Sequence, residues 1–153
     1  VCLPVPQHPA GRGGRRRGAG RAAVRRGLYR AQIMRDNIIL SDGTDIVIVN
    51  QYSCCELFKW LIVEYAGVSY QQANACVETR IPFFEGIDTF LSASLHGHDW
   101  PYYYSAMDMY FGNHLPENAI LPPPDSPEGL ALYENIEAGI LRKHNLKEPI
   151  IWI

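Results

Sequence analysis

The stretch "NIILSDGTDIVIVN", residues 37–50, places two runs of β-branched residues on either side of Asp42 and Gly43. An Asp-Gly pair between such runs is a strong signal for a β-hairpin, because both residues tolerate the positive φ angles of a tight turn. We therefore predict strands near 37–41 and 45–50. An isolated hairpin is marginally stable in water, so its apolar face must pack on other elements.

The next segment predicts an amphipathic helix. Ser53 and Glu56 form the S-x-x-E pattern of a capping box, and Gly67 is suited to end the helix in a left-handed conformation. The apolar residues between them recur at helical spacing and predict one wide buried face: Cys54, Leu57, Phe58, Leu61, Ile62 and Tyr65.

Two shorter helices are predicted after it. Ser69 and Gln72 repeat the capping pattern and start a second helix at about 70–79, and Pro82 suits the first turn of a third. The third helix has its own inward stripe, formed by Phe83, Phe84, Ile87, Phe90, Leu91 and Leu95.

The C-terminal part of the chain predicts two more helices and a short apolar segment. A helix at about 100–111 closes at Gly112, and a last helix starts with Ser126 as its cap and Pro127 at its first position. Asn145 is suited to stop that helix. The last six residues, "EPIIWI", either add a strand to the hairpin edge or pack as an apolar plug.

These elements predict an α+β fold, mostly helical, in which an N-terminal β-hairpin packs on four to five short helices. Residues 34–153 form a single acidic domain of ordinary size, preceded by a disordered Arg/Gly-rich tail at 1–33. The tail holds eight arginines and no acidic residue, a net charge of +8. The domain holds all sixteen acidic residues and six basic ones, a net charge of −10.

Three interpretations of the tail stay open. The composition changes abruptly near Met34, so residues 1–33 are on one interpretation an upstream extension that is not native to the protein. On another, the arginines bind nucleic acid through phosphate contacts and stacking. The third is an organellar transit peptide, although such peptides are rich in serine and this segment has none.

The segment "SLHGHDWPYYY", residues 94–104, concentrates polar and aromatic groups. Residue types that bind zinc lie in it and shortly after it: His96, His98, Asp99 and His114. A small metal-dependent enzyme built on this cluster is the alternative function, although its spacing matches no established metal motif. The structural interpretation is that Gly97 ends one helix in a left-handed conformation and Asp99 caps the next.

The cysteines indicate a reducing compartment. Four of them are too few for a disulfide scaffold, and none forms a C-x-x-C pattern. No run is apolar and long enough to span a bilayer, and we expect a cytoplasmic protein. Cys54 and Cys55 fall in the first turn of the first helix, where the helix dipole favours a reactive thiolate; a buried, inert thiol is the other interpretation.

The acidic domain and its tyrosines together indicate a binding function. A net charge of −10 repels nucleic acid and anionic membranes and attracts basic surfaces. We therefore expect a small acidic binding protein, without catalytic residues or cofactor, that engages a basic protein such as a toxin or nuclease as an immunity-type or phage-type inhibitor. The expected contacts are Asp99, Tyr102, Tyr103, Asp108 and Glu117.

One short segment resembles a known family. "DSPEGL", residues 125–130, with tyrosines upstream, is similar to the start of the last helix of colicin-type nuclease immunity proteins, which are small acidic helical bundles. Here the tyrosines at 102–104 precede residue 125 by about twenty residues, whereas the family keeps them close. The β-hairpin also has no counterpart in that family, so the resemblance is confined to this segment.

Overall fold

The computed structural model describes residues 34–97, 101–112 and 126–153. The segment 1–33 and its three interpretations lie outside the described residues. In chain order the elements are β1 (Ile38–Ser41), β2 (Ile46–Val49), α1 (Gln51–Ala66), α2 (Tyr70–Glu78), α3 (Ile81–Glu85), α4 (Phe90–Gly97), α5 (Tyr102–Phe111), α6 (Pro127–Lys143) and β3 (Ile150–Trp152). The predicted α+β class is confirmed, with six helices in the described part of the chain instead of four to five.

The sheet has three antiparallel strands in the order β1-β2-β3. The predicted hairpin is confirmed, and the C-terminal segment adds a strand on the free side of β2 instead of packing as a plug. The prediction of a tight turn was wrong, because Ser41 pairs with Ile46 and leaves a four-residue loop between the strands. Within this loop only Gly43 has a positive φ, of 97°. The Asp42 carboxylate widens the turn, because it accepts the N–H groups of Thr44 and Asp45 at 2.9 and 2.8 Å.

The start of α1 differs from the predicted capping box. The helix begins at Gln51, so Ser53 lies inside its first turn and Glu56 pairs with Lys59 instead of reaching back. Asp36, from the segment before β1, accepts the Ser53 N–H at 2.9 Å and the Ser53 hydroxyl at 2.6 Å. A carboxylate that is distant in sequence thus satisfies a first-turn N–H group, which is the task of a capping side chain.

The predicted third helix is two helices. α3 ends at Glu85 with Gly86 at its C-cap, and α4 begins at Phe90. Thr89 and Ser92 bond to each other at this start: the Ser92 N–H donates to the Thr89 hydroxyl at 3.1 Å, and the Thr89 N–H donates to the Ser92 hydroxyl at 3.0 Å. This local cap interrupts the stripe. Phe84 and Ile87 are buried as expected, whereas Phe83, Leu91 and Leu95 are 42%, 69% and 66% exposed.

The remaining helix ends largely follow the sequence, except that the left-handed stop predicted at Gly97 was wrong: Gly97 is the last residue of α4 and has no positive φ. Ser69 and Gln72 form the predicted capping box of α2, and Gly67 ends α1 with a φ of 70°. Ser126 accepts the Gly129 N–H at 3.0 Å at the start of α6. After α6, Asn145 has a φ of 52° and Leu146 donates to the Leu141 carbonyl at 2.8 Å, as expected for a left-handed helix stop.

Two apolar clusters hold these elements together. The larger one surrounds α1, which packs against α2, α3, α5 and α6 and contributes the buried residues Cys54, Cys55, Leu57, Phe58, Leu61 and Ile62. The smaller one lies between the inner face of the sheet and α4, with Val47, Val49, Ile87 and Ala93 at its centre. Within the described ranges, no helix is long and apolar enough to cross a membrane.

Candidate functional site

Helix α5 carries the aromatic residues that the sequence marked for partner binding. Tyr103 and Met107 are 1% and 0% exposed and pack into the larger cluster, Tyr102 is partly buried, and Asp108 is exposed. A side chain that is 1% exposed offers almost no surface to a partner, so Tyr103 supports the surface from beneath. The other two expected contacts, Asp99 and Glu117, lie outside the described residues.

Four tyrosines from three helices meet at the α5–α6 contact. Tyr103 is the centre: its ring lies 5.2 Å from that of Tyr65, 5.8 Å from that of Tyr104 and 5.4 Å from that of Tyr133. The Tyr133 hydroxyl donates to the Tyr104 hydroxyl at 2.9 Å. Burial, assisted by this hydrogen bond, raises the pKa of Tyr133 well above its usual value, so the phenol stays neutral.

Exposed carboxylates lie near Tyr104 and Tyr133 along α5 and α6. Helix α5 has no lysine or arginine, and neither has α6 before Arg142. Asp108 lies one turn after Tyr104 on α5, and Glu134 follows Tyr133 directly on α6; both carboxylates are exposed. We call Tyr104, Asp108 and Glu134 the acidic tyrosine surface.

Glu137 joins α6 to the first turn of α5. Its Oε1 accepts the Tyr103 N–H at 3.3 Å, where α5 has unsatisfied N–H groups. Burial raises the pKa of Glu137 to about 7, and the exposed Glu134 one turn away adds to the increase, whereas the N–H groups of Tyr103 and Tyr102 oppose it. This carboxyl therefore exchanges its proton close to neutral pH.

His96 contacts an interior thiol. Its Nε2 lies 3.9 Å from Cys54 Sγ, and its ring contacts those of Phe83 and Tyr102 at 5.3 and 5.5 Å. Cys54 is fully buried, and burial raises its pKa well above the usual value. The thiol is therefore neutral and inaccessible, which favours the inert interpretation over a nucleophile.

Only one residue of the predicted metal cluster lies in the part of the chain that the structure describes. His96 is described, but His98, Asp99 and His114 lie outside the described residues, so the metal-dependent alternative stays a prediction. Over residues 34–97, 101–112 and 126–153, no three His, Cys, Asp or Glu side chains are grouped to hold a metal ion.

Two charged residues of α1 form a polar group with Tyr70 that was not predicted from the sequence. The Lys59 ammonium donates to Glu56 Oε1 at 2.6 Å, and the Tyr70 hydroxyl donates to the other carboxylate oxygen at 2.8 Å. Both charged side chains are only 10% exposed. The helical spacing of Glu56 and Lys59 was a signal for the ion pair, whereas the Tyr70 bond depends on how α2 packs on α1.

Glu137 was also missed, although a signal for it exists. It lies four residues after Tyr133 and three before Ile140, on the buried stripe of α6. A carboxylate at such a position needs a hydrogen-bond donor from another element.

Comparison of the chain with protein-family models, with curated proteins and with solved structures gives no match.

Proposed function

We propose that the protein is a small acidic binding protein that engages a basic protein partner, in the manner of an immunity-type or phage-type inhibitor. The observation that carries this proposal is the placement of carboxylates beside tyrosines on α5 and α6, where α5 and the first fifteen residues of α6 contain no cationic side chain. Nine of the thirteen described acidic side chains are exposed, so most of the negative charge faces solvent.

The physical basis is electrostatic steering followed by aromatic anchoring. A domain with a net charge of −10 accelerates its encounter with a basic surface and repels nucleic acid. Tyrosine then contributes contact area at a low entropic cost because its side chain has few rotatable bonds. Tyr104, held by the Tyr133 hydroxyl, is preorganised for this role.

The proposed contacts follow from these positions. Asp108, expected from the sequence, stays in the proposal together with Tyr104, one turn before it on α5, and the exposed Glu134 of α6. Tyr102 contributes its exposed portion. A basic partner such as a toxin nuclease presents lysine and arginine side chains that bind phosphate, and exposed carboxylates compete for those side chains.

The test is binding to a panel of purified basic nucleases with isoelectric points above about 9. We expect an affinity that falls steeply with salt for at least one of them. The variant Asp108→Asn/Glu134→Gln removes two charges from the acidic tyrosine surface and should raise the Kd about tenfold or more, mainly through a slower association rate.

The matched control is Asp45→Asn/Asp88→Asn, which removes the same charge from the hairpin loop and from the turn before α4, both exposed. It should change the Kd by less than about threefold, because these charges act only at long range. Equal effects of the two pairs would show non-specific attraction. Salt-independent binding would contradict the proposal.

A further inference from the structure

A cleft of about 440 Å³ lies beside the end of α6, where the chain folds back towards β3. The Leu146 N–H donates to the Leu141 carbonyl at 2.8 Å, and this hydrogen bond holds the fold-back against the last turn of the helix. The residues that line the cleft come from both sides of the fold-back: Ala138, Leu141, Arg142, Asn145, Leu146 and Glu148. Its volume lies in the range of about 300–1,000 Å³ that is usual for small-molecule sites. We call it the α6 cleft.

The segment after α6 is held in place by residues at the start of α1. The Lys147 N–H donates to the Ser53 hydroxyl oxygen at 3.1 Å, and the Glu148 carbonyl accepts a hydrogen bond from Nδ2 of the buried Asn50 at 2.6 Å. The backbone on this side of the cleft is therefore fixed before any ligand arrives. A preformed cleft spares a ligand the entropic cost of ordering its walls.

The α6 cleft combines an apolar base with a charged rim. Leu141 and Leu146 are partly buried and pack against the larger apolar cluster. Arg142, Asn145 and Glu148 are exposed. The side of the cleft nearest the core is therefore apolar, whereas a guanidinium, an amide and a carboxylate group are available on its solvent side.

Arg142 and Glu148 bring opposite charges to this cleft without neutralising each other. In the part of the chain that the structure describes, neither side chain forms an ion pair, with the other or with a third residue. The neighbouring cations have partners, since Lys143 donates to Glu64 at 2.9 Å and Lys147 donates to an asparagine oxygen at 2.9 Å. The α6 cleft thus offers one cation and one anion to a ligand.

We propose that the α6 cleft binds a small zwitterion with an aliphatic side chain, of the chemical class of a free α-amino acid or an apolar dipeptide. The ligand carboxylate accepts hydrogen bonds from Arg142, whose planar guanidinium matches the geometry of a carboxylate. The ligand ammonium donates to the Glu148 carboxylate. The aliphatic side chain covers Leu141 and Leu146 and removes apolar surface from water. A ligand with a single charge leaves Arg142 or Glu148 unpaired, so the two residues together select a molecule that carries both charges.

The exposure of the charged groups sets the strength of binding. Ion pairs at a protein surface contribute little because water competes for both groups, so we expect a Kd on the order of 1 mM. The proposal does not depend on the proposed binding of a basic protein, because none of the contacts proposed for that partner lines the cleft.

The experiment is an NMR titration of the full chain with L-leucine up to about 50 mM, followed through the backbone amide signals. We expect a saturable shift of the amides of residues 138–148. N-acetyl-leucine lacks the ammonium and leucinamide lacks the carboxylate, so each should bind at least about threefold more weakly than leucine. Leucyl-leucine places its two charges farther apart, and whichever of leucine and this dipeptide binds more tightly identifies the form of the ligand.

Two variants assign the two charges. Arg142→Gln should weaken leucine binding at least about threefold and leave leucinamide binding unchanged, because leucinamide has no carboxylate. Glu148→Gln should weaken leucine binding and leave N-acetyl-leucine binding unchanged. Lys143→Gln is the matched control, since it removes the same charge next to Arg142 from a residue that does not line the cleft. Amide signals from the rest of the chain establish that each variant is folded.

Three results would overturn the proposal. The first is the absence of a saturable shift with both leucine and leucyl-leucine. The second is equal binding of leucine, N-acetyl-leucine and leucinamide, because the cleft would then recognise apolar surface alone. The third is an equal loss of leucine binding in Lys143→Gln and Arg142→Gln, which would reduce the effect of Arg142 to net charge.

Discussion

At the scale of single residues, burial and hydrogen bonding shift the pKa of Glu137 in opposite directions. Its position on the inner stripe of α6 removes water from the carboxyl group, which favours the protonated form. The N–H of Tyr103 favours the charged form but does not compensate for the burial. The result is a carboxyl with a pKa of about 7 in the folded protein, against 4.5 for an ordinary glutamate.

This difference makes stability depend on pH with a definite sign. Between about pH 4.5 and 7 the folded protein retains a proton on Glu137 that the unfolded chain has released, so the free energy of unfolding falls as pH rises through this range. Glu137→Gln keeps an oxygen for the Tyr103 N–H without burying a charge. We expect it to be more stable than the original protein at pH 8, by on the order of 1–2 kcal/mol, and nearly equal at pH 4.5.

Urea denaturation at a series of pH values measures this effect. Glu134→Gln, which removes an exposed carboxylate one turn away, serves as the control and should leave most of the slope in place. If the free energy of unfolding of the Glu137→Gln variant fell with pH as steeply as that of the original protein, the pKa of this carboxyl would be the same in the folded and unfolded chain.

At the scale of elements, α1 is the central helix, and its N-terminus is completed from outside the helix. Asn50 at the cap position makes no side-chain cap bond, and the Asp36 carboxylate reaches the Ser53 N–H instead. The same carboxylate accepts the Ser53 hydroxyl, whose oxygen in turn accepts the Lys147 N–H at 3.1 Å. The start of α1 is thereby tied to segments from both ends of the domain.

Asp36→Ala tests this cap. The substitution leaves a first-turn N–H without its acceptor, and the free energy of unfolding should fall by about 1–2 kcal/mol in chemical denaturation. Asp36→Asn retains one acceptor oxygen and should lose less. Asp45→Ala, an exposed change in the hairpin loop, should stay within about 0.5 kcal/mol of the original protein. A similar loss in Asp36→Ala and Asp45→Ala would contradict the capping role.

At the scale of the whole molecule, Asn50 connects the sheet, α1 and the C-terminal segment. It is 0% exposed and lies between β2 and α1. Its Oδ1 accepts the Asn37 N–H at 2.8 Å, its Nδ2 donates to the Glu148 carbonyl at 2.6 Å, and its backbone N–H donates to the Pro149 carbonyl at 2.8 Å. These bonds hold the segment before β3 against the segment before β1.

Asn50→Ala should therefore destabilise the whole domain. The part-buried Asn37 N–H and Glu148 carbonyl lose their partners, and the buried Asn50 side chain no longer joins the two segments, so we expect the free energy of unfolding to fall by about 2–4 kcal/mol, measured by urea denaturation. Asn74→Ala is the control, since Asn74 makes one exposed hydrogen bond to Glu78 and should cost less than about 0.5 kcal/mol. A near-neutral Asn50→Ala would mean that water replaces these bonds.

Features that depend on near neighbours in the chain could be predicted from the amino-acid sequence. The Ser69–Gln72 capping box, the left-handed stops at Gly67 and Asn145, and the α1 stripe each involve residues a few positions apart. The backbone conformation of such a segment is decided by its own side chains, so the α+β class could be predicted from the sequence. A tyrosine-rich helix at the position of α5 was predicted for the same reason.

Contacts between side chains that are distant in the chain could not be predicted in this way. The Ser53–Asp36, Tyr103–Glu137 and Asn50–Glu148 bonds span 17, 34 and 98 residues. Tyr103 and Tyr104 are adjacent in a helix that is apolar nearly all round, and packing against α1 and α6 buries the first and leaves part of the second at the surface. Such contacts depend on how all the elements pack together, and no local pattern contains that information.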